Sequence, residues 1–395
     1  MLFKSILLYV ILLVSLGLFN IKFLPNNFIL LLQFLAVSFM VFAIITRNIY
    51  GWENHTNKRN FILPVIFILT GVFLSSITAF NYHNQPFLIT FWAQAPMYWF
   101  VFYIFLSINN YKKEELEKAL IVFAFLHFLF FLLQYIAYPN VLFNVRISED
   151  LSRNALRIFI PGYTILTVGF CLVMNRFLNT NKLVYLILML LFLSVPVLQA
   201  TRQSIFVLLL VTIYAIIFSK KVKSRTLIIF LLALSILPLY FIFQDIILNL
   251  LELTADIEDD GSFSAREVAI LYFLTDFFPA DIAYILGNGA DHMRSQFGIK
   301  VQMLRSMGLY QSDIGLLGEY TRYGAFFVFG VIIIIYKLLT VKTSPELYYI
   351  RYYGLSLLLL IPLQPSYTSP SAIAVLCVLF YISDNQYNNI SDSTK

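Results

Sequence analysis

Residues 183–219 read LVYLILMLLFLSVPVLQATRQSIFVLLLVTIYAIIFS. Two apolar runs, 183–199 and 204–219, approach the roughly 20 residues that a helix needs to cross a bilayer. Between them stands QATRQS, with Arg202 inside it. An arginine at so tight a bend is costly near membrane depth unless it is paired or lines an aqueous cavity. It is therefore a candidate functional residue from the outset.

Similar runs fill most of the chain. Working outward, the candidate spans are 2–19, 27–45, 61–79, 87–107, 119–138, 158–175, 183–199, 204–219, 226–244, 323–339, 350–362 and 371–383. The last two are short and interrupted by Pro362, Pro365 and Pro370. They could instead form a re-entrant hairpin or a broken helix, which a bilayer tolerates only under protein or water cover. In the fourth, FWAQAPMYW (91–99) predicts a kink at Gln94–Pro96 that lines a cavity or serves packing. The composition agrees with this reading: 60% of residues are hydrophobic and only 12% charged, where a soluble domain is nearer a quarter charged. The run 2–19 has no small-residue cleavage site after it, so it reads as a first span rather than a signal peptide. Both cysteines, Cys171 and Cys377, lie in apolar segments. That leaves no disulfide framework and no cysteine metal site.

The expected fold is an all-α polytopic membrane protein of about twelve transmembrane helices. One long extracytoplasmic loop, 245–322, contains amphipathic helices. It separates spans one to nine (1–244) from spans ten to twelve (323–383), and a polar tail, 384–395, follows. Charge orients the chain. With the N-terminus in the cytoplasm, seventeen Lys and Arg fall on the cytoplasmic side, KKVKSR (220–225) being the densest group. Five fall outside the long loop on the other face: Lys22, Arg146, Arg153, Arg157 and Arg202. That asymmetry places both termini inside. It also accounts for the net charge of +6, so nucleic-acid binding is not implied.

The outer face, with the long loop included, holds eight Arg and two Lys. The planar guanidinium grips phosphate bidentately, which Lys cannot do. Arg266 lies in GSFSAREVAILYFLTDFF (261–278), where Ser262 or Ser264 predicts the cap of a helix starting near Ala265. Ile270, Leu271, Phe273, Leu274, Phe277 and Phe278 would form its apolar face. An Arg in the first turn would add its charge to free N–H groups. In LGNG (286–289), Gly287 and Gly289 permit a tight turn with exposed N–H groups. His292 follows as a candidate base. In SDIGLLGEYTRYG (312–324), Ser312 or Asp313 reads as a helix cap. Asp313, Glu319 and Arg322 there could also hold an acceptor hydroxyl or pair with a catalytic Arg. The acidic run Asp256, Glu258, Asp259, Asp260 lacks the spacing of a calcium loop and reads as solvated.

Taken in order, QATRQS, SAREVA, ILGNG and SDIGLLGEYTRYG resemble the bacterial O-antigen and exopolysaccharide polymerases of the Wzy type. The related O-antigen ligases share the plan, and the resemblance covers roughly 150–340. It implies a glycosyltransferase of the cytoplasmic (inner) membrane that uses an undecaprenyl-diphosphate-linked oligosaccharide donor. Such an enzyme joins repeat units into O-antigen, capsule or exopolysaccharide on the outer face, without metal or other cofactor. Arg202 and Arg266 would neutralise the diphosphate, with Arg157 (LRIFIPG) third. Arg322, Gly287, Gly289 and Glu319 would contact substrate. Many members carry a His where this chain has Gln311, so the base falls to Asp313 or His292, or none is needed. A flippase and a chain-length regulator would be pathway partners. The alternatives are a ligase, which differs in acceptor, and a flippase, which needs cations along a central path.

Overall fold

The computed structural model describes residues 2–49, 59–150, 155–218, 262–341, 343–364 and 367–393. The chain is nearly all-α, about 78% helical. Its first half contains α1 (Leu2–Ser15), α2 (Asn26–Ile49), α3 (Ile62–His83), α4 (Phe87–Ala93), α5 (Val101–Asn109) and α6 (Lys113–Ala137). A hairpin of β1 (Ile147–Asp150) and β2 (Ala155–Ile158) follows, with Ser148 opposite Arg157 in an antiparallel register. Then come α7 (Tyr163–Thr180), α8 (Leu183–Leu198) and α9 (Arg202–Phe218). The rest comprises α10 (Ser262–Thr275), α11 (Asp281–Leu286), α12 (Gln296–Ser306), α13 (Leu316–Thr340), α14 (Tyr348–Leu360) and α15 (Pro370–Ser393).

Helices overlie every predicted span except 226–244, which lies outside the described residues together with KKVKSR and the acidic run. Among the described residues, four helices are long and apolar enough to cross a membrane: α2, α3, α6 and α13. The pair α4 and Ala95–Asn109 makes a fifth if its 60° bend belongs to one span. Shorter apolar helices lie at Phe3–Ser15, Leu183–Leu198 and Arg202–Phe218. These are the features of a multi-pass membrane protein.

The centre of the bundle is α15. From Ala372 to Ile382 every side chain is no more than 2% exposed, as a helix apolar all round requires. The polar tail expected from 384 is helical instead, through Ser393. Asp384 is buried, accepting from Tyr103 Oη and from Asn60 N at 3.1 Å. Tertiary packing here overrides a polar local sequence. By contrast α2 turns Phe28, Leu31, Leu35, Phe39 and Phe42 outward, the pattern of a lipid-facing helix. The predicted kink in 87–107 is a full break at Gln94. The amide of Gln94 is buried and donates to Ser75 Oγ at 3.1 Å, while accepting from Ser76 Oγ at 2.9 Å. The break serves packing, because two α3 hydroxyls satisfy the amide.

Contacts at helix ends and loops sort the bundle into two ends. At one end Lys4 reaches Asn109 O, Lys113 meets Glu346, Arg176 meets Glu117 and Lys337 donates to Asn60 O. At the other end Ile21 bridges Phe143, Gln199 bonds Ile158 O and Asn288 bonds His83. Among the described residues most lysines collect at the first end, while Arg157, Arg202 and the segment 262–315 stand at the second. This segment has its own small core of Ala269, Phe273, Phe277, Phe297, Val301, Leu304 and Ile314. Leu271, expected on the buried face of α10, is exposed. The helix follows the stripe Ala269, Phe273, Phe277 instead, because α12 and the single turn Gln311–Ile314 supply its partners.

Candidate functional site

Two polar groups occupy the second end. The first forms around QATRQS. The helix α8 stops after Leu198, Ala200 takes a left-handed conformation with φ 49°, and α9 starts at Arg202. Arg202 thus stands at the N-terminus of a 17-residue helix, where free N–H groups and the helix dipole favour anions. Gln199 Nε2 donates to Ile158 O at 2.7 Å. This bond ties the bend to β2, next to Arg157. The Tyr163 hydroxyl stands beside the Thr201 and Ser204 side chains. Tyr163 also lines a cleft of about 200 Å³, shared with Thr164, Thr167, Ser356, Gln364 and Ser369. Hydroxyls and an amide therefore line a space between α7 and α14 that adjoins the bend at Thr201 and Ser204.

The second group forms where the outer segment crosses α13. That helix starts at Leu316 rather than near 323, so Glu319 and Arg322 are helical residues one turn apart. Arg322 Nη1 donates to Glu319 Oε1 at 2.9 Å, and its Nε donates to Gln311 Oε1 at 3.2 Å. Gln311 Nε2 in turn donates to Thr321 Oγ1 at 2.8 Å. Glu319 is 1% exposed, and its Oε2 bonds to no described residue. Close by, Arg305 Nη2 donates to both Asp291 oxygens, at 3.1 and 2.9 Å. The Asp291 carboxylate is near enough to act electrostatically on Glu319 and Arg322. On α10, burial and then the Asp276 carboxylate raise the Tyr272 hydroxyl above its ordinary pKa.

Several expectations are corrected by this geometry. Gly287 and Gly289 do not present a cradle of free N–H groups. Their N–H groups bond Ala283 O at 2.8 Å and Arg322 O at 2.7 Å. A Cβ on Gly287 would come within 2.5 Å of Arg322 O, and one on Gly324 within 2.3 Å of Ile285 O. Both residues have positive φ. The two glycines let two backbones cross, and α13 kinks at Gly324 for that reason. Arg266 is the fifth residue of α10, not a first-turn residue, because the helix already starts at Ser262. Its own N–H is past the four that a helix leaves free. Asp313 does not cap α13; it is exposed and accepts only from Ser312 Oγ, at 3.2 Å. His292 Nδ1 accepts from Arg294 N at 3.2 Å. This contact engages the Nδ1 lone pair and leaves Nε2 as the ring's donor in the neutral form.

The structure thus ties the bend that carries Arg202 to the strand that carries Arg157, and pairs Glu319 with Arg322 near Asp291. No hydrogen bond or ion pair among the described residues joins Arg266 or Asp313 to either group. Sequence reading missed Tyr163, Gln199, Asp291, Arg305 and Gln311. Their neighbours come from remote elements, and only QATRQS, which includes Gln199, carried a local signal. Among the described residues, no three His, Cys, Asp or Glu side chains are grouped to hold a metal ion. No protein-family model matches the chain, and no curated protein is significantly similar to it in sequence.

Proposed function

We propose that the chain is an oligosaccharide repeat-unit polymerase: a twelve-span glycosyltransferase of the bacterial cytoplasmic membrane with both termini in the cytoplasm. Its donor is an undecaprenyl-diphosphate-linked oligosaccharide, and transfer takes place on the outer face, at the end bearing Arg157 and Arg202. The observation that carries this reading is the placement of Arg202. It stands at the start of a long helix, at a bend that Gln199 ties to β2 and whose Thr201 and Ser204 adjoin Tyr163, a lining residue of a hydroxyl-bearing cleft in an apolar bundle. A guanidinium at a helix N-terminus stabilises the charge that develops on a departing diphosphate. The apolar bundle suits the polyprenyl tail, and the hydroxyls suit sugar. The chemistry uses neither metal nor cofactor. A flippase and a chain-length regulator are its pathway partners.

The test is Arg202→Ala in cells that make the polysaccharide. Long chains should vanish while single lipid-linked repeat units accumulate outside. Arg202→Lys should also perform poorly, because the bidentate fork is lost. Chains of normal length in both variants would refute the arginine mechanism. Accumulation on the inner leaflet would favour a flippase. Normal repeat-unit polymers that fail only to reach their final acceptor would favour a ligase. In purified enzyme, activity should survive exhaustive chelation, and loss restored by magnesium would overturn the metal-free claim.

A further inference from the structure

The group around Asp291 opens on a second cleft, which the reaction at Arg202 does not use. It holds about 420 Å³ and is lined by Ala93, Asp291, His292, Met293, Arg294 and Arg305. Its floor is fixed. Gln85 is fully buried. Its Oε1 accepts from His292 N at 3.2 Å and from Ser295 Oγ at 2.6 Å, and its Nε2 donates to Ala290 O at 2.8 Å. Ser295 Oγ caps α12 by accepting from Gly298 N at 2.9 Å. The strap 290–295 is thereby clamped between the start of α4 and α12. The His83 ring stacks on Phe297 at 4.0 Å beneath it.

The polar atoms facing this space are mostly donors. Both bonds from Arg305 to Asp291 come from Nη2. Among the described residues, Arg305 Nε and Nη1 bond to nothing. The bond at His292 Nδ1 makes its Nε2 a donor in the neutral ring. Arg294 is exposed at the rim. Against these stands one acceptor, the Asp291 carboxylate, only 10% exposed. The adjacent Glu319–Arg322 pair balances its own charge. A bare phosphate would favour a site of donors alone. A site with two guanidiniums and one oriented carboxylate suits a ligand that carries an oxyanion and hydroxyls together.

We infer that this cleft binds an acidic saccharide, holding its oxyanion with Arg294 and Arg305 and its hydroxyls with Asp291 and His292. The binding stands on the cleft itself. Only the further statement that the ligand is a residue of the growing glycan rests on the polymerase reading.

The full chain in phosphatidylcholine nanodiscs would be titrated with glucuronate, glucose and inorganic phosphate, followed by ligand-observed NMR. Glucuronate should bind at least about tenfold more tightly than glucose, since charge-assisted hydrogen bonds separate them. Arg294→Gln, at an exposed position, and Arg305→Gln should each remove most of that advantage. Asp291→Asn should shift preference from glucuronate toward phosphate. Equal affinity for glucuronate and glucose, or no binding of either, would overturn the proposal. So would phosphate binding more tightly than glucuronate, or loss of the glucuronate signal in nanodiscs containing phosphatidylglycerol, which would mark a lipid-headgroup site. Glucuronate binding in a chain that proves unable to polymerise would leave the cleft standing and remove only the polymerase reading.

Discussion

The Arg202 cleft and the Asp291 cleft lie at the same end of one bundle and use the same cation, yet they are built differently. Arg202 begins a helix, and the cleft next to its bend has a neutral lining: hydroxyls of Tyr163, Thr164, Thr167, Ser356 and Ser369, with the Gln364 amide. At Asp291 each guanidinium that the structure pairs has its own carboxylate, Arg305 with Asp291 and Arg322 with Glu319. The first arrangement sets a guanidinium at the start of a long helix, next to a lining of neutral hydroxyls. The second consumes most of its charge internally, and so favours orientation over attraction. Counting outer-face arginines does not distinguish the two; their placement on elements does.

The comparison breaks first at the buried pair. Removing one partner of a buried ion pair strands the other, at a cost of about 3–5 kcal/mol. Glu319→Ala should therefore destabilise the chain strongly in denaturant unfolding in detergent. Glu319→Ala with Arg322→Ala should recover part of the loss, and a double variant as unstable as the sum of both would remove the coupling. Next comes activity. Arg202→Ala should lower chain elongation by about 10²–10³-fold, the scale of losing one charge-stabilising donor, while Asp291→Asn should change it only a few-fold. Equal losses would erase the division between the clefts. A smaller effect belongs to the crossing. Gly324→Ala forces a β-carbon into Ile285 O at positive φ and should cost about 1–3 kcal/mol, read as a lower thermal midpoint. Smallest is Gln199→Ala. Losing its bond to Ile158 O should cost about 1 kcal/mol and lower elongation modestly by loosening the bend at Arg202 from β2. A variant with unchanged elongation would show that the tie is not functional.

Helix positions were legible because each apolar run must satisfy its backbone internally, whatever its neighbours do. The bend at Arg202 was legible for the same reason: a charged residue between two such runs has few places to go. The helix that carries Arg266 starts at Ser262 rather than near Ala265, and those few residues are enough to move the Arg266 N–H from free to bonded. The role of the two LGNG glycines was hidden. A tight turn and a backbone crossing need the same residue, and only the nearness of Gly324 distinguishes them. Asp291 and Arg305, fourteen residues apart, meet because α12 folds back over the strap that Gln85 holds. Gln85 lies more than two hundred residues earlier.

From sequence alone follow the membrane class, the helical class and the two-sided sorting of charge, since each depends on hydropathy and length that any one segment carries by itself. The burial of Asp384, the tie between β2 and the bend before Arg202, and the pairing of Arg305 with Asp291 and Arg322 with Glu319 depend on tertiary packing. Each is set by which remote side chain satisfies a buried polar atom, and no local pattern encodes that partner.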